Sequence, residues 1–496
     1  MHRTVAGAVL ALSVAACADS TRSPAGPTPP NAAVRAPAPS PGVSRPINVT
    51  ADAFADNEES AGISPDGALL AASWNDFDFN DGCGFSFSTQ GGKSWAPRTF
   101  VPGLTQFTND PATPGTGSFK IAGDPAVAFN PRFGTFVVVC QAFVGTSANV
   151  KINLLATTFD PAKADPNANE NASYVGVQSP WTRPVAVTTG ISNGTQKGSN
   201  GQFPDHEAVT VDEGMGPGHH FGRVFVAWAE FNGFGRSPID LAFSDDNGAT
   251  WTGPIRVSDV RHKFDQDAHP IVGPDGTVYV SFITAPNEVS LSNNFAAIAA
   301  SPDGGLSFGS PQIVAPVSSP VPGRLPNSLY RVFSDVVSTV SPKNIVSVVW
   351  NDQRTGHSNI YSRHNLVPGD LTAWSEPVAV APSDKEQFFP WMVSTPSGRL
   401  DLVFYDRTPD PANRLNFVTY AASFDDGASW GITPATRTGF DGDRFQACLA
   451  FVQPSTCGVF FLGDYIGVVS TDAAVHVLYT FNGSQAQDVF DTNIAF

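Results

Sequence analysis

Acidic residues recur at one place in the repeating pattern of this 496-residue chain. They open successive apolar runs as Glu58 and Glu59, Asp124, Asp205-His206-Glu207, Asp267 with His269, Asp335, and Asp464-Tyr465. A second set closes the runs that follow: Asp76, Glu230, Asp352 with Arg354, and Asp406 with Arg407. If the fold brings like positions to one end, many carboxylates and few arginines meet at one mouth. Such a gathering can hold and pass protons, and its oxygen ligands would suit calcium. His206 and His269 occupy equivalent positions in adjacent runs, which fits a shared metal or ordinary hydrogen-bonded histidines. The sequence contains no serine-hydrolase elbow, phosphate loop or paired metal motif.

The elements that would position these residues repeat along the chain. Each unit opens with a polar cluster and runs through an apolar strand to a Pro/Asp/Gly turn. A second strand rich in Val and Trp follows, then a third, then a fourth marked in most units by P-x-x-V. Units begin near Asn57, Gly123, Pro204, Asp265, Arg331, Gln387 and Leu462. The last has three strands, and the missing one stands at the other end of the chain, where Arg45-Pro46-Ile47-Asn48-Val49 carries the same signature. The expected fold is therefore all-β: a propeller of seven four-stranded antiparallel blades, closed by an N-terminal strand in the last blade.

Four segments share the spacing S-x-D-x-G-x-x-W/F, one of them without the acid: SFDDGASW from Ser423, SDDNGATW from Ser244, SPDGGLSF from Ser301 and STQGGKSW from Ser88. The acid can accept from its own turn, the glycine tolerates positive φ, and the aromatic ring plugs the turn onto a sheet. This resembles the Asp-box of the sialidase (BNR-repeat) superfamily. The resemblance implies a propeller, usually of six blades, with the boxes between third and fourth strands on the face opposite the active site. It also implies a tyrosine nucleophile with a glutamate base, an aspartate acid, and three arginines clamping a sugar carboxylate. The matching positions are Tyr465, Glu207, Asp124 or Asp76, and Arg331, Arg354 and Arg407. The family's F/Y-R-I-P motif in the first blade has no counterpart here.

Composition bounds the reading further. Only 15% of residues are charged, the net charge is −17, and Gly (45), Pro (42) and Phe (37) are abundant. That is a turn-rich β composition without the clustered basic residues that nucleic acid requires. Met1-His2-Arg3, an apolar stretch from Val5 to Val14, and Val14-Ala15-Ala16-Cys17 resemble a bacterial lipoprotein signal. The expected organisation is a signal peptide over 1–16, lipidation at Cys17, a Pro/Ala/Ser-rich tether over 17–44, and the propeller over 45–496. Ala18, not aspartate, follows Cys17, which by analogy with the enterobacterial sorting rule favours the outer membrane. Export permits disulfides, with Cys448–Cys457 and Cys83–Cys140 as the expected pairs. The sequence supports two functions. One is an exported, cell-surface exo-glycoside hydrolase acting on terminal acidic sugars; the other is a non-catalytic propeller that binds glycan, protein or calcium. Either would be a monomer that needs no cofactor and meets the membrane only through its lipid.

Overall fold

A computed structural model of the chain describes residues 41–51, 54–77, 82–108, 117–146, 149–167, 179–192, 201–232, 236–262, 264–285, 294–318, 323–444, 460–482 and 486–496. The expected signal peptide, the Cys17 lipidation site, the tether as far as residue 40, and the Cys448–Cys457 pair lie outside these residues. No helix among the described residues is long and apolar enough to cross a membrane.

The strands form seven antiparallel sheets, six of them in chain order from the inside outward and the seventh ending in the N-terminal strands. Innermost strands run over Asp56–Ile63, Ile121–Asn130, Gln202–Val211, Phe264–Val272, Val336–Val340, Gln387–Ser394 and Gly467–Ser470. The propeller therefore has seven blades, as the repeat count requires, and departs from the usual six that the Asp-box resemblance implies. We call the face where inner strands begin the upper face.

These strands form because both faces of every blade can be buried. Second strands such as Leu70–Asp76, Val346–Asp352 and Leu400–Asp406 are buried along their whole length. Such continuous burial marks a sheet covered on both sides. The apolar residues accordingly form a separate layer between each pair of adjacent blades. Examples are Phe85, Phe136 and Trp181 between the first and second, and Phe388, Tyr405 and Tyr479 between the sixth and seventh. A disulfide joins Cys83 of the first blade to Cys140 of the second.

Each S-x-D-x-G-x-x-W/F segment links a third strand to a fourth, at the ends of the blades away from the upper face. In Ser423–Trp430, the Gly427 N–H donates to Ser423 Oγ at 2.8 Å, and Ser429 donates to Asp425 through its N–H at 2.9 Å and its hydroxyl at 2.6 Å. The Ser244 and Ser301 segments repeat this network, while Ser88, which lacks the acid, keeps only the serine-to-glycine part. Two of the three tryptophans bond across blades: Trp430 Nε1 donates to Ser362 Oγ at 3.0 Å and Trp95 Nε1 to Asp491 Oδ2 at 3.1 Å.

Ring closure falls to the smallest layer, formed by Val49, Ala72, Trp74, Leu478 and Val489 between the seventh blade and the first. Strands Gly42–Val43 and Ile47–Asn48 pair with the outer strand Gln487–Ala495, so pairing begins at Gly42, ahead of the expected domain start at Arg45. Without them that strand would present a bare edge. Glu59 adds a polar lock, accepting from the Thr480 N–H at 3.1 Å and hydroxyl at 2.8 Å.

Two predictions follow from this closure. Deleting residues up to Val49 removes the edge pairing and should lower unfolding free energy by roughly 2–4 kcal/mol, read by denaturant titration. The second concerns Glu59, whose carboxyl burial raises from 4.5 to about 7 against the hydrogen bonds from Thr480. The folded chain then holds a proton that the unfolded chain releases, so stability falls as pH rises through this window. Glu59→Gln should abolish up to roughly 3 kcal/mol of the stability lost between about pH 5 and pH 8, and an unchanged pH slope would refute this assignment.

Candidate functional site

Five inner strands slip in register at the same point: between Asn57 and Ser60, Gly123 and Ala126, Asp205 and Ala208, Gln266 and His269, and Phe388 and Trp391. At each slip one residue other than glycine adopts a left-handed backbone: Glu58 (φ 56°), Asp124 (50°), His206 (53°), Asp267 (59°) and Phe389 (51°). Such residues cost of order 1 kcal/mol or more each, and bulges re-aim side chains out of the pleat. The repetition gathers Glu58, Asp124, His206 and Asp267 at the upper mouth, while Phe389 stays in the apolar layer between the sixth and seventh blades. In the seventh blade Gly463 (φ 101°) performs the approach, passing so close that a Cβ would lie 2.9 Å from the Glu58 nitrogen.

The resulting ring is acidic and tightly coupled. Glu58, 2% exposed, lies beside Asp124. Burial first, and then the charge of Asp124, raise Glu58 well above the usual carboxylate range. Asn75 clamps the pair: its Nδ2 donates to Glu58, and its Oδ1 accepts from the Asp124 N–H at 2.6 Å. The Asp464 N–H donates to Glu58 Oε1 at 3.0 Å. Burial likewise raises Asp335 well above its usual value, helped by Asp267, and lifts Asp205 to about 6, helped by Asp124.

Two cations sit in this ring, and both are engaged. His206 Nδ1 pairs with Asp267 at 2.9 Å, and that carboxylate holds the imidazolium well above its usual range although burial opposes it. The half-exposed Arg331 pairs through Nε and an outer nitrogen with Asp464, and its guanidinium lies 4.7 Å from the Phe461 ring centroid.

Beneath the ring, aromatic side chains from four blades close the axis. Tyr465 lies 5.5 Å from His206 and 6.1 Å from Trp391, which meets His269 edge-on at 5.0 Å. Below this septum a cavity of about 650 Å³ runs between the inner strands as far as Pro65, Pro274, Pro342 and Pro396 at the lower turns. Glu207 lies in the septum, 4% exposed, and neither of its carboxyl oxygens has a partner among the described residues. The Tyr465 hydroxyl is also unpartnered there, and burial, then the carboxylates of Glu58 and Asp124, hold it as a neutral phenol well above its usual pKa.

The structure thus gathers Tyr465, Glu207, Asp124 and Arg331 and leaves Asp76, Arg354 and Arg407 outside. Those three belong to the second strands or the turns after them, one strand away from the axis. Asp76 pairs with Arg98 at 2.9 Å. Arg354 forks onto Asp352, which also accepts from the Trp350 indole at 3.0 Å, and lies 4.1 Å from the Tyr361 ring centroid. Arg407 is fully buried and donates to Asn416 Oδ1, the Pro326 and Asn413 carbonyls and the Tyr330 hydroxyl. It is a structural strut and cannot clamp a ligand in the mouth. Among the described residues no group of three or more His, Cys, Asp or Glu is arranged to hold a metal ion.

Sequence reasoning passed over the amides that position the ring. Asn75, Gln141 and Asn351 each reach from a second strand to an inner-strand opening: to Asp124, to Asp205 Oδ1 at 3.2 Å, and to the Asp335 N–H at 2.9 Å. The repeated Trp-Asn-Asp at 74–76 and 350–352 was the available signal.

No protein-family model and no curated protein matches this sequence. Among solved structures the chain is similar to the Hadza microbial sialidase Hz136, with 16% identity, 90% of this chain and 68% of that one covered, and a TM-score of 0.41. It is similar to the intramolecular trans-sialidase of Ruminococcus gnavus, with 13% identity, 75% and 95% covered, and a TM-score of 0.42. A polysaccharide lyase of family PL25, an ulvan lyase, gives 10% identity, 90% and 97% covered, and a TM-score of 0.47. Likenesses this distant assign no chemistry to the chain.

Proposed function

We propose that the upper ring is the catalytic site of an exported glycoside hydrolase in which Glu58 is the proton donor. The observation that carries this reading is the Glu58–Asp124 pair, two carboxyls set side by side in left-handed bulges and clamped by Asn75, with Glu58 held protonated well above the usual carboxylate range. A carboxylic acid kept protonated near neutrality is what protonating a glycosidic oxygen requires. In the proposed step the Glu58 proton moves to the leaving oxygen as its bond to the anomeric carbon breaks. A water oxygen bonds to that carbon and gives up its proton to an ionised carboxylate of the ring. That proton passes to solvent and Glu58 is reprotonated from solvent, which restores the ring for the next cycle. The lipobox reading of Val14 to Cys17 supports placing this activity at the cell surface, on a glycan or glycoconjugate.

The version restricted to terminal acidic sugars draws less support. It needs Tyr465 as nucleophile and an arginine clamp, yet the phenol is held neutral beside an equally raised Glu207, and Arg331 is engaged by Asp464. A panel of aryl glycosides and polysaccharides, assayed for released aglycone and reducing ends, tests the proposal. Hydrolysis is expected on at least one neutral or amino-sugar substrate. Glu58→Gln should lower kcat by about 100-fold or more, and wild-type kcat should fall as alkaline pH removes the donor proton. Full activity in Glu58→Gln would remove the assigned donor. Glycan binding without turnover across the panel would leave the non-catalytic binding reading, and loss of activity only in Tyr465→Phe on a sialoside would restore the acidic-sugar version.

A further inference from the structure

The charge inventory of the ring points to its ligand. Glu58, Asp124, Asp205, Asp267, Asp335 and Asp464 act on one another or on shared neighbours there, with Glu207 directly beneath. Against them stand His206 and Arg331, each already paired with a ring carboxylate. No cation of the described ring remains to receive a carboxylate or sulfate from a ligand, and an anion there would meet uncompensated negative potential. A second observation is independent of this balance. Asp335, 4% exposed, accepts from the Val336 N–H through Oδ1 at 2.9 Å, while its Oδ2 has no partner among the described residues. That carboxyl feels the charges of Asp267, His206 and Asp464, which sets it among the ring residues. A buried carboxyl oxygen without a partner is a rare and costly feature that a ligand can satisfy.

Given the reading of the ring as a glycan site, we infer that the sugar it holds carries a free amine, as in de-N-acetylated hexosamine glycans, with the ammonium received by Asp335 and Asp267. An ammonium supplies three donors and a positive charge to two carboxylates in a partly desolvated site, where such pairs are stronger than in water. Its arrival lets raised acids such as Asp335 and Asp205 ionise, so binding releases protons.

The test is calorimetric titration of the purified protein at ~150 mM salt, which screens its general negative charge. The probes are a glucosamine tetramer, its fully N-acetylated counterpart, a neutral cello-oligosaccharide and sialyllactose. The amine tetramer should bind about 10-fold tighter than the acetylated one, a gap of ~1.4 kcal/mol. Comparing buffers of different ionisation enthalpy should show net proton release. Asp335→Asn, which keeps the Oδ1 acceptor, should erase the amine preference while retaining acetylated-oligomer binding. Asp267→Asn should do so too, because it removes the second carboxylate that receives the ammonium. Equal binding of amine and acetylated oligomers overturns the inference and leaves the glycan site standing. Amine preference unchanged in both variants overturns it too, by tracing the preference to surface charge. If none of the saccharides binds, the reading of the ring as a glycan site fails with it.

Discussion

The architecture depends on one constraint: every sheet has two apolar faces and must find a neighbour for each. A radial stack satisfies this only by closing on itself. Hence the seven layers between blades, and hence the return of the chain's beginning at Gly42–Val43 to the last strand. The same constraint leaves the innermost strands with one unpaired edge around the axis. Residues there escape the packing rules that fix all the others, so chemistry can collect at that edge without loss of core.

What collects is negative charge under poor solvation. Glu58, Asp205, Glu207 and Asp335 all have their proton affinity raised, with burial the largest cause in each. Hydrogen bonds from asparagine and glutamine amides, together with the His206 and Arg331 ion pairs, offset part of this destabilisation. The remainder is set against a large and regular core, where a few unfavourable positions are tolerable. The aromatic septum of Tyr465, His206, Trp391 and His269 divides this charged mouth from the cavity below.

The blade count, the return strand and the Cys83–Cys140 disulfide were legible because each leaves a mark in spacing or pairing: a repeated P-x-x-V and an even set of cysteines. Radial position was not. Asp76 and Asp124 look alike in sequence, each beside a Val/Ala-rich run, but one faces Arg98 on the outer side of its blade and the other faces the axis. The left-handed bulges also carry no sign in composition, since glutamate, aspartate, histidine and phenylalanine occupy them where glycine would have announced the conformation. Arg407 was misread for the same reason: nothing in YDRTPD tells a fully buried guanidinium with several protein acceptors from one that waits for a ligand.

The recurrent bulge works as a socket. Five blades hold the same backbone twist at the same height yet carry five heads, among them an imidazole at His206 and a phenyl ring at Phe389. The conformation is thus independent of the side chain that occupies it. A substitution at any of the four polar sockets changes the chemistry of the mouth while the inter-blade layers that stabilise the ring stay untouched. Specificity in this fold can therefore drift one residue at a time, with stability and selectivity evolving as nearly separate traits.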